Sequence, residues 1–230
     1  MTFSPTAIVT GASRGLGRGI ALQLVAAGYT VIAAARTAPE IDGAVNVAAD
    51  VTTEAGIAAL LRERSAGIAL LVNNAAAPPV LDSLEDLTPE RFRLGFEVDV
   101  FGALALTQAA APYLDGGTVV NVISAKGGTP AGPAHLSVSP SQSALTALTR
   151  NLAVIMAPQV TVHGLMPALT PAGGTGVIAA PALGVTFGDV TLTAEQVGDA
   201  VLALTEEREP GIWFVDANQL SMVTSVPIGV

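Results

Sequence analysis

Ile8–Gly19, IVTGASRGLGRG, joins a short apolar run to a glycine-rich stretch and then to a helical pattern. A strand that runs into a glycine turn and a helix brings backbone N–H groups and the positive end of the helix dipole to one point, where a phosphate is received. The reading is a strand at Thr6 to Thr10, then a turn in which Gly11, Gly15 and Gly17 let the backbone bend and approach a pyrophosphate. A helix follows from Arg18 to Ala27, with Ile20, Leu24 and Ala27 on one face. An ordinary strand-turn-helix shows the same glycines, so the rest of the chain has to carry the reading.

Beyond this stretch strand and helix patterns alternate. Apolar runs at 30–35, 44–49, 68–72, 118–123, 160–165 and 211–215 suit strands buried on both faces of a sheet. Helical patterns fill 53–64, the region from Thr88 through Leu114, 139–156 and 194–207. The fold expected is α/β: a Rossmann-type, doubly wound parallel sheet of about seven strands in a single domain, with ligands at the carboxyl ends of the strands.

Composition narrows the function. The chain has 230 residues and no linker-like segment, enough for one domain with a substantial core. Charged residues make up 13% and hydrophobic ones 50%, so apolar surface is expected to meet another subunit or a greasy ligand. A net charge of -9 argues against nucleic acid as a partner. There are no cysteines, and His135 and His163 are the only imidazoles, so no metal site is expected. No signal-like start and no apolar run long enough for a bilayer stand out, which predicts a cytoplasmic protein with no membrane contact.

TGASRGLG at Thr10–Gly17, ADV at Ala49–Val51, NNAA at Asn73–Ala76, VVNVIS at Val119–Ser124 and SALTALTRNLA at Ser143–Ala153 follow in order over most of the chain. In this order and spacing they resemble the short-chain dehydrogenase/reductase family. The resemblance implies that the turn from Gly11 through Ser13, Arg14, Gly15 and Leu16 to Gly17 holds a pyrophosphate, and that Asp50 and Val51 meet the adenine. It places Asn74 along the cofactor ribose, dimer contacts on the helices around 101–114 and 139–156, and a homodimer or homotetramer as the assembly.

Charge bears on which cofactor. An acid at the end of the second strand would accept ribose hydroxyls, whereas a guanidinium there suits a 2′-phosphate through charge-assisted bonds. The chain has Arg36 at that end and Arg14 in the glycine turn, which favours NADP(H).

The resemblance also implies a reaction centre of serine, tyrosine, lysine and asparagine, and here the chain departs from it. Ser124 stands at the serine position, Val138 at the tyrosine, Gln142 at the lysine and Asp99 at the asparagine. Tyr29 and Tyr113, the only tyrosines, are not placed to substitute. The polyketide ketoreductase variant, with its lysine at the asparagine position, does not fit Asp99 either. Losing a lysine and gaining an aspartate makes the pocket more anionic, and a ketone reduction, which builds an alkoxide, is disfavoured there. Hydride addition to an iminium carbon needs no proton. The expectation is therefore NADPH-dependent reduction of a cationic or preactivated acceptor, with Asp99 as counter-charge and Ser124 orienting the substrate.

Two other readings remain open from the residues. His135, on the loop before the helix at 139–156, could serve with Asp99 or Ser124 in an isomerisation, dehydration or cyclisation. An intact cradle with a stripped reaction centre also fits a binding subunit without catalysis. The stretch from about 168 to 193 is rich in small and apolar residues, and by resemblance it covers the substrate, which points to a small hydrophobic ligand.

Overall fold

A computed structural model describes residues 4–64, 67–78, 84–124, 136, 138–167, 192–215 and 219–223. Its strands are β1 (Thr6–Thr10), β2 (Thr30–Ala35), β3 (Val45–Ala48), β4 (Ile68–Asn73), β5 (Thr118–Val122), β6 (Thr161–Pro167), β7 (Ile212–Val215) and β8 (Leu220–Met222). They form one sheet in the order β3-β2-β1-β4-β5-β6-β7-β8. All neighbours are parallel except β7 and β8. The chain begins in the middle of the sheet, builds outward to β3, then crosses back to β4, so the order reverses between β1 and β4. The crevice at the carboxyl ends of such a pair is where ligands bind in open α/β sheets.

Helices cover both faces: α1 (Gly15–Ala26), α2 (Glu54–Arg62), α3 (Pro89–Phe96), α4 (Ala103–Ala110), α5 (Ser139–Ile155) and α6 (Ala194–Glu206). Because side chains alternate across a strand, one run feeds two cores. Ala7, Val9, Val31, Leu70 and Val72 pack under Ile20 and Leu24 of α1 and Val197, Val201 and Leu204 of α6. Ile8, Ile32, Leu71 and Val119 face Leu60, Leu106, Leu114 and Leu152. Helices α1 and α6 touch so closely that a Cβ on Gly19 would lie 2.4 Å from Ala194 Cβ.

Three expectations need correction. The first helix starts at Gly15 rather than Arg18, because Gly15 and Gly17 already belong to its first turn. Among the described residues the sheet has eight strands, one beyond the about seven expected, and the eighth is antiparallel. Leu220–Met222 is too short to show a period of two, and only pairing with β7 makes it a strand. Third, α3, a π-helical turn at Glu97–Gly102, α4 and a 3₁₀ turn at Ala111–Tyr113 follow one another without a break. By length and composition this stretch, Pro89–Tyr113, would suffice to cross a membrane. It buries Gly95, Asp99, Gly102, Leu106, Thr107 and Ala110 inside the domain, as a core helix does.

A polar chain crosses the centre of the sheet. Asn73 Nδ2 donates to Asn121 Oδ1 at 2.8 Å and to Thr107 Oγ1 at 3.1 Å, and Asn121 Nδ2 donates to Thr149 Oγ1 at 2.9 Å. Thr149 then donates to the Leu145 carbonyl at 2.7 Å. The chain ties β4, β5, α4 and α5 into one register at the base of the crevice.

His163 in β6 is fully buried, and its Nδ1 accepts the Trp213 indole N–H at 3.1 Å. The proton of the neutral ring therefore sits on Nε2, which has no hydrogen-bonded partner among the described residues. Burial holds the ring's pKa below its ordinary value, although Glu207 and the backbone at Leu204 pull the other way. The folded state thus binds fewer protons than the unfolded one once the pH falls below the unfolded imidazole's ~6.5. His163 contributes its full stability above that pH, and the contribution is lost as the pH falls through it. Urea unfolding between pH 8 and 5 should show a smaller acid loss for His163→Gln than for the parent, and equal slopes would refute this.

Candidate active site

The glycine turn sits at the carboxyl end of β1, held from behind by the segment after β4. Thr10 Oγ1 accepts the N–H groups of Asn74 and Ala75, each at 3.0 Å, and Asn74 Nδ2 donates to the Thr10 carbonyl at 2.9 Å. Gly11 has φ +66, a left-handed conformation that side chains resist, and a Cβ there would meet Asn74 Nδ2 at 2.8 Å. A Cβ on Gly17 would lie 2.3 Å from the Gly11 carbonyl oxygen. At Gly11 and Gly17 the turn therefore lies against its own backbone and the segment after β4, with no room for a side chain. Arg14 occupies the N-cap of α1 in extended conformation, and no side chain among the described residues caps the helix, which leaves its first N–H groups open to a ligand. Ser13 and Arg14 are exposed, while Leu16 packs against the core beneath the turn.

The other expected cofactor residues lie along the same crevice. Arg36 follows β2 and is exposed. Asp50 follows β3, where its Oδ1 accepts the Thr52 hydroxyl at 2.7 Å and the Thr52 N–H at 2.9 Å. These bonds, helped by the Arg36 charge and opposed by partial burial, hold the Asp50 carboxyl below its usual pKa. Val51 lines a narrow hollow with Thr10, Asn73, Ala75 and Gly102. Asn74 commits its side-chain nitrogen to the glycine turn, so it braces the cradle from behind. A turn closed to Cβ atoms, an uncapped helix start and two exposed guanidiniums fit a phosphorylated dinucleotide.

Further along the crevice, Asp99, Gln142 and Ser124 come together. Asp99 lies in the π-helical turn and is 2% exposed. Its Oδ1 accepts the Ala77 N–H at 2.8 Å, and its Oδ2 accepts the Ser141 hydroxyl at 2.7 Å and Gln142 Nε2 at 2.9 Å. Gln142 Oε1 in turn accepts the Ser124 N–H at 2.8 Å. Ser141 and Gln142 stand in the first turn of α5, both buried, and Ser124 is half-buried just past β5. Burial pushes the Asp99 carboxyl above its ordinary pKa, and the bonds from Ala77, Ser141 and Gln142 oppose the shift without cancelling it. No lysine or arginine is bonded to Asp99 among the described residues.

Of the expected catalytic residues, the structure joins Asp99 to Ser124 through Gln142. His135 lies outside the described residues, as does the covering stretch at 168–193 apart from Leu192 and Thr193. Ser141 and the Ala77 N–H were not legible in the sequence. A serine in a helix carries no mark of its partner, and a backbone N–H has no sequence signature at all. Thr10 offered a signal, a polar residue closing an apolar strand, that pointed to the bracing of the turn.

Comparison with known proteins agrees with this geometry. The family model described as short chain dehydrogenase matches residues 5–179. The "Granaticin polyketide synthase putative ketoacyl reductase 2" of Streptomyces violaceoruber is 36% identical over 183 residues, covering 72% of this chain and 73% of that one. A short-chain dehydrogenase from Streptomyces avermitilis superimposes with a TM-score of 0.78 at 28% identity, covering 94% of this chain and 89% of that one. One from Burkholderia cenocepacia, solved in complex with NADP, gives a TM-score of 0.76 at 29% identity over 92% of this chain and 87% of that one. With the nucleotide cradle, the sheet order and this similarity in agreement, the chain belongs to the short-chain dehydrogenase/reductase family, whose members are oxidoreductases that use nicotinamide cofactors.

Proposed function

We propose that this protein is an NADPH-dependent reductase of a hydrophobic acceptor that is already activated, of the iminium type, and that it works without a tyrosine and lysine as proton donor. The observation that carries the reading is the bonding around Asp99: a buried carboxyl held by a backbone N–H, a hydroxyl and an amide, with no cation among its partners in the described residues. The bound cofactor supplies a hydride. A ketone receiving it would become an alkoxide beside a buried carboxyl, which raises the barrier. A cationic acceptor reverses the sign. The Asp99 carboxylate favours the protonated form of an imine near it, and by reciprocity the bound cation lowers the carboxyl's pKa. Both Asp99 oxygens are engaged, so its charge acts through space while Ser124 orients the acceptor.

The preference for NADPH rests on Arg14 and Arg36, two exposed guanidiniums at the ribose end of the crevice, and neighbours such as the Burkholderia enzyme are solved with NADP. Arg36→Ala should weaken NADPH binding by about tenfold and leave NADH nearly unchanged, as expected for one charge-assisted phosphate contact. Fluorescence titration measures both. Oxidation of NADPH should then follow addition of a cyclic iminium salt and not of the matching ketone. Equal turnover of ketone and iminium would overturn the acceptor class, and absence of NADPH binding would favour the isomerase-type or non-catalytic readings.

The protein is further proposed to act in the cytoplasm as a homodimer or homotetramer. Phe101 is 54%, Val154 63% and Ile155 75% exposed, on the stretch and the helix expected to form subunit contacts. Sedimentation of the purified protein as a monomer at micromolar concentration would refute the oligomer.

A further inference from the structure

Two backbone N–H groups bracket the Asp99–Gln142 pair. Ala77 N–H points at Asp99 Oδ1 and Ser124 N–H at Gln142 Oε1. A backbone N–H only donates, so both side-chain atoms facing these groups must be acceptors. At Gln142 this fixes the amide: its oxygen faces Ser124, and its nitrogen faces Asp99 Oδ2 at 2.9 Å. Residue 99 must therefore accept on both sides, and a carboxyl with its two oxygens does so. An asparagine has one oxygen and one NH₂ group. Turned one way it sets its NH₂ against the Ala77 N–H, and turned the other way against the Gln142 NH₂. The residues at 99 and 142 are thus coupled by the direction of their hydrogen bonds.

We propose that Asp99 and Gln142 work as one pair of positioning residues that fixes the backbone of Ser124 against the segment after β4, and that the pair is defined by hydrogen-bond direction rather than by where its negative charge sits. The proposal rests on the reductase reading only for the role of Ser124 toward the acceptor. It makes a specific demand: exchanging the carboxyl and the amide between the two positions must preserve the chain of bonds. With Asp99→Asn and Gln142→Glu together, the introduced amide turns its oxygen to the Ala77 N–H and its NH₂ to the introduced carboxylate, which still accepts from Ser124 N–H. Ser141 completes the accounting. Its hydroxyl lies 2.7 Å from Asp99 Oδ2 and 3.0 Å from the Val138 carbonyl. In the exchanged pair it accepts the second N–H of the introduced amide and donates to Val138, so no buried polar atom is orphaned.

Native-state amide exchange by NMR on the full chain tests this directly. Asp99→Asn alone should speed exchange at Ser124 and Ala77 by about tenfold or more, the scale of one buried donor left unpaired. Gln142→Glu alone keeps an acceptor for each N–H, since two facing carboxyls share one proton, and should leave both amides within about twofold of the parent. The double variant should return both amides to within about twofold of the parent. If Asp99→Asn does not fold, the double variant is compared with Gln142→Leu, which removes the acceptor for Ser124 outright. Unchanged exchange in Asp99→Asn, or a double variant as fast as its faster single or as Gln142→Leu, would overturn the pairing. NADPH titration and iminium turnover of the parent separate the two claims: rescue without turnover leaves the pairing standing and removes the reductase reading. Turnover without rescue removes the pairing alone.

Discussion

Gly17→Ala should abolish useful nucleotide binding, with a loss of NADPH affinity of about a hundredfold, roughly 2.7 kcal/mol. The added carbon would sit 2.3 Å from the Gly11 carbonyl oxygen and 2.4 Å from Asn74 Nδ2, so the turn and the segment after β4 must part. The Gly11 oxygen belongs to the backbone, and the Asn74 amide is tied to the Thr10 carbonyl, so moving either breaks the turn's own bracing. Overpacking of this kind also costs about 1–3 kcal/mol in stability. Gly28→Ala is the control: its φ is +88, yet nothing among the described residues lies within 4 Å of a Cβ there. It should lose only about 1 kcal/mol through the left-handed backbone and bind NADPH as before. Titration and urea unfolding of the pair separate steric closure from backbone strain, and full NADPH binding by Gly17→Ala would refute the close approach.

The second large effect is expected at Asn121. Its side chain is fully buried and serves at once as acceptor for Asn73 and donor to Thr149. Asn121→Ala removes two buried hydrogen bonds and opens a small cavity, for a loss of about 3 kcal/mol. In a chain of this size that corresponds to a fall in melting temperature of about 10 °C. Thr149→Val should cost less, because it removes only the acceptor of Asn121 Nδ2 and leaves the Asn73–Asn121 bond and the packing of both side chains in place. A loss under 1 kcal/mol for Asn121→Ala in urea unfolding would mean that water replaces the missing amide.

Much of the fold was legible because it rests on local patterns. The apolar runs of β1, β2 and β4 are read from neighbours in sequence. The helix caps, Thr53 and Thr193, which accept the N–H groups of Gly56 and Gln196, follow from the structure. The cradle was legible because glycine is demanded there by close backbone contact. What escaped depends on contacts between distant segments. The π-helical turn that aims Asp99 inward has no composition of its own, and β8 exists only as the partner of β7. Asp99, Ser124 and Gln142 were singled out one by one through resemblance. That an amide would join the other two through its opposite ends follows only from three-dimensional placement. The reaction itself is less legible still, since it turns on what the pocket lacks as much as on what it holds.

The sheet's two borders bear on how such an apolar chain stays in solution. β3 at one border has four residues and β8 at the other has three, and β8 runs against its neighbour. Short, mismatched borders give an incoming strand little to pair with, so they discourage edge-to-edge polymerisation. Mutual repulsion at a net charge of -9 supplies the rest of the colloidal protection at neutral pH. That repulsion fades toward the isoelectric point near 4.5, which leaves the brevity of the borders to discourage neighbouring molecules from joining their sheets.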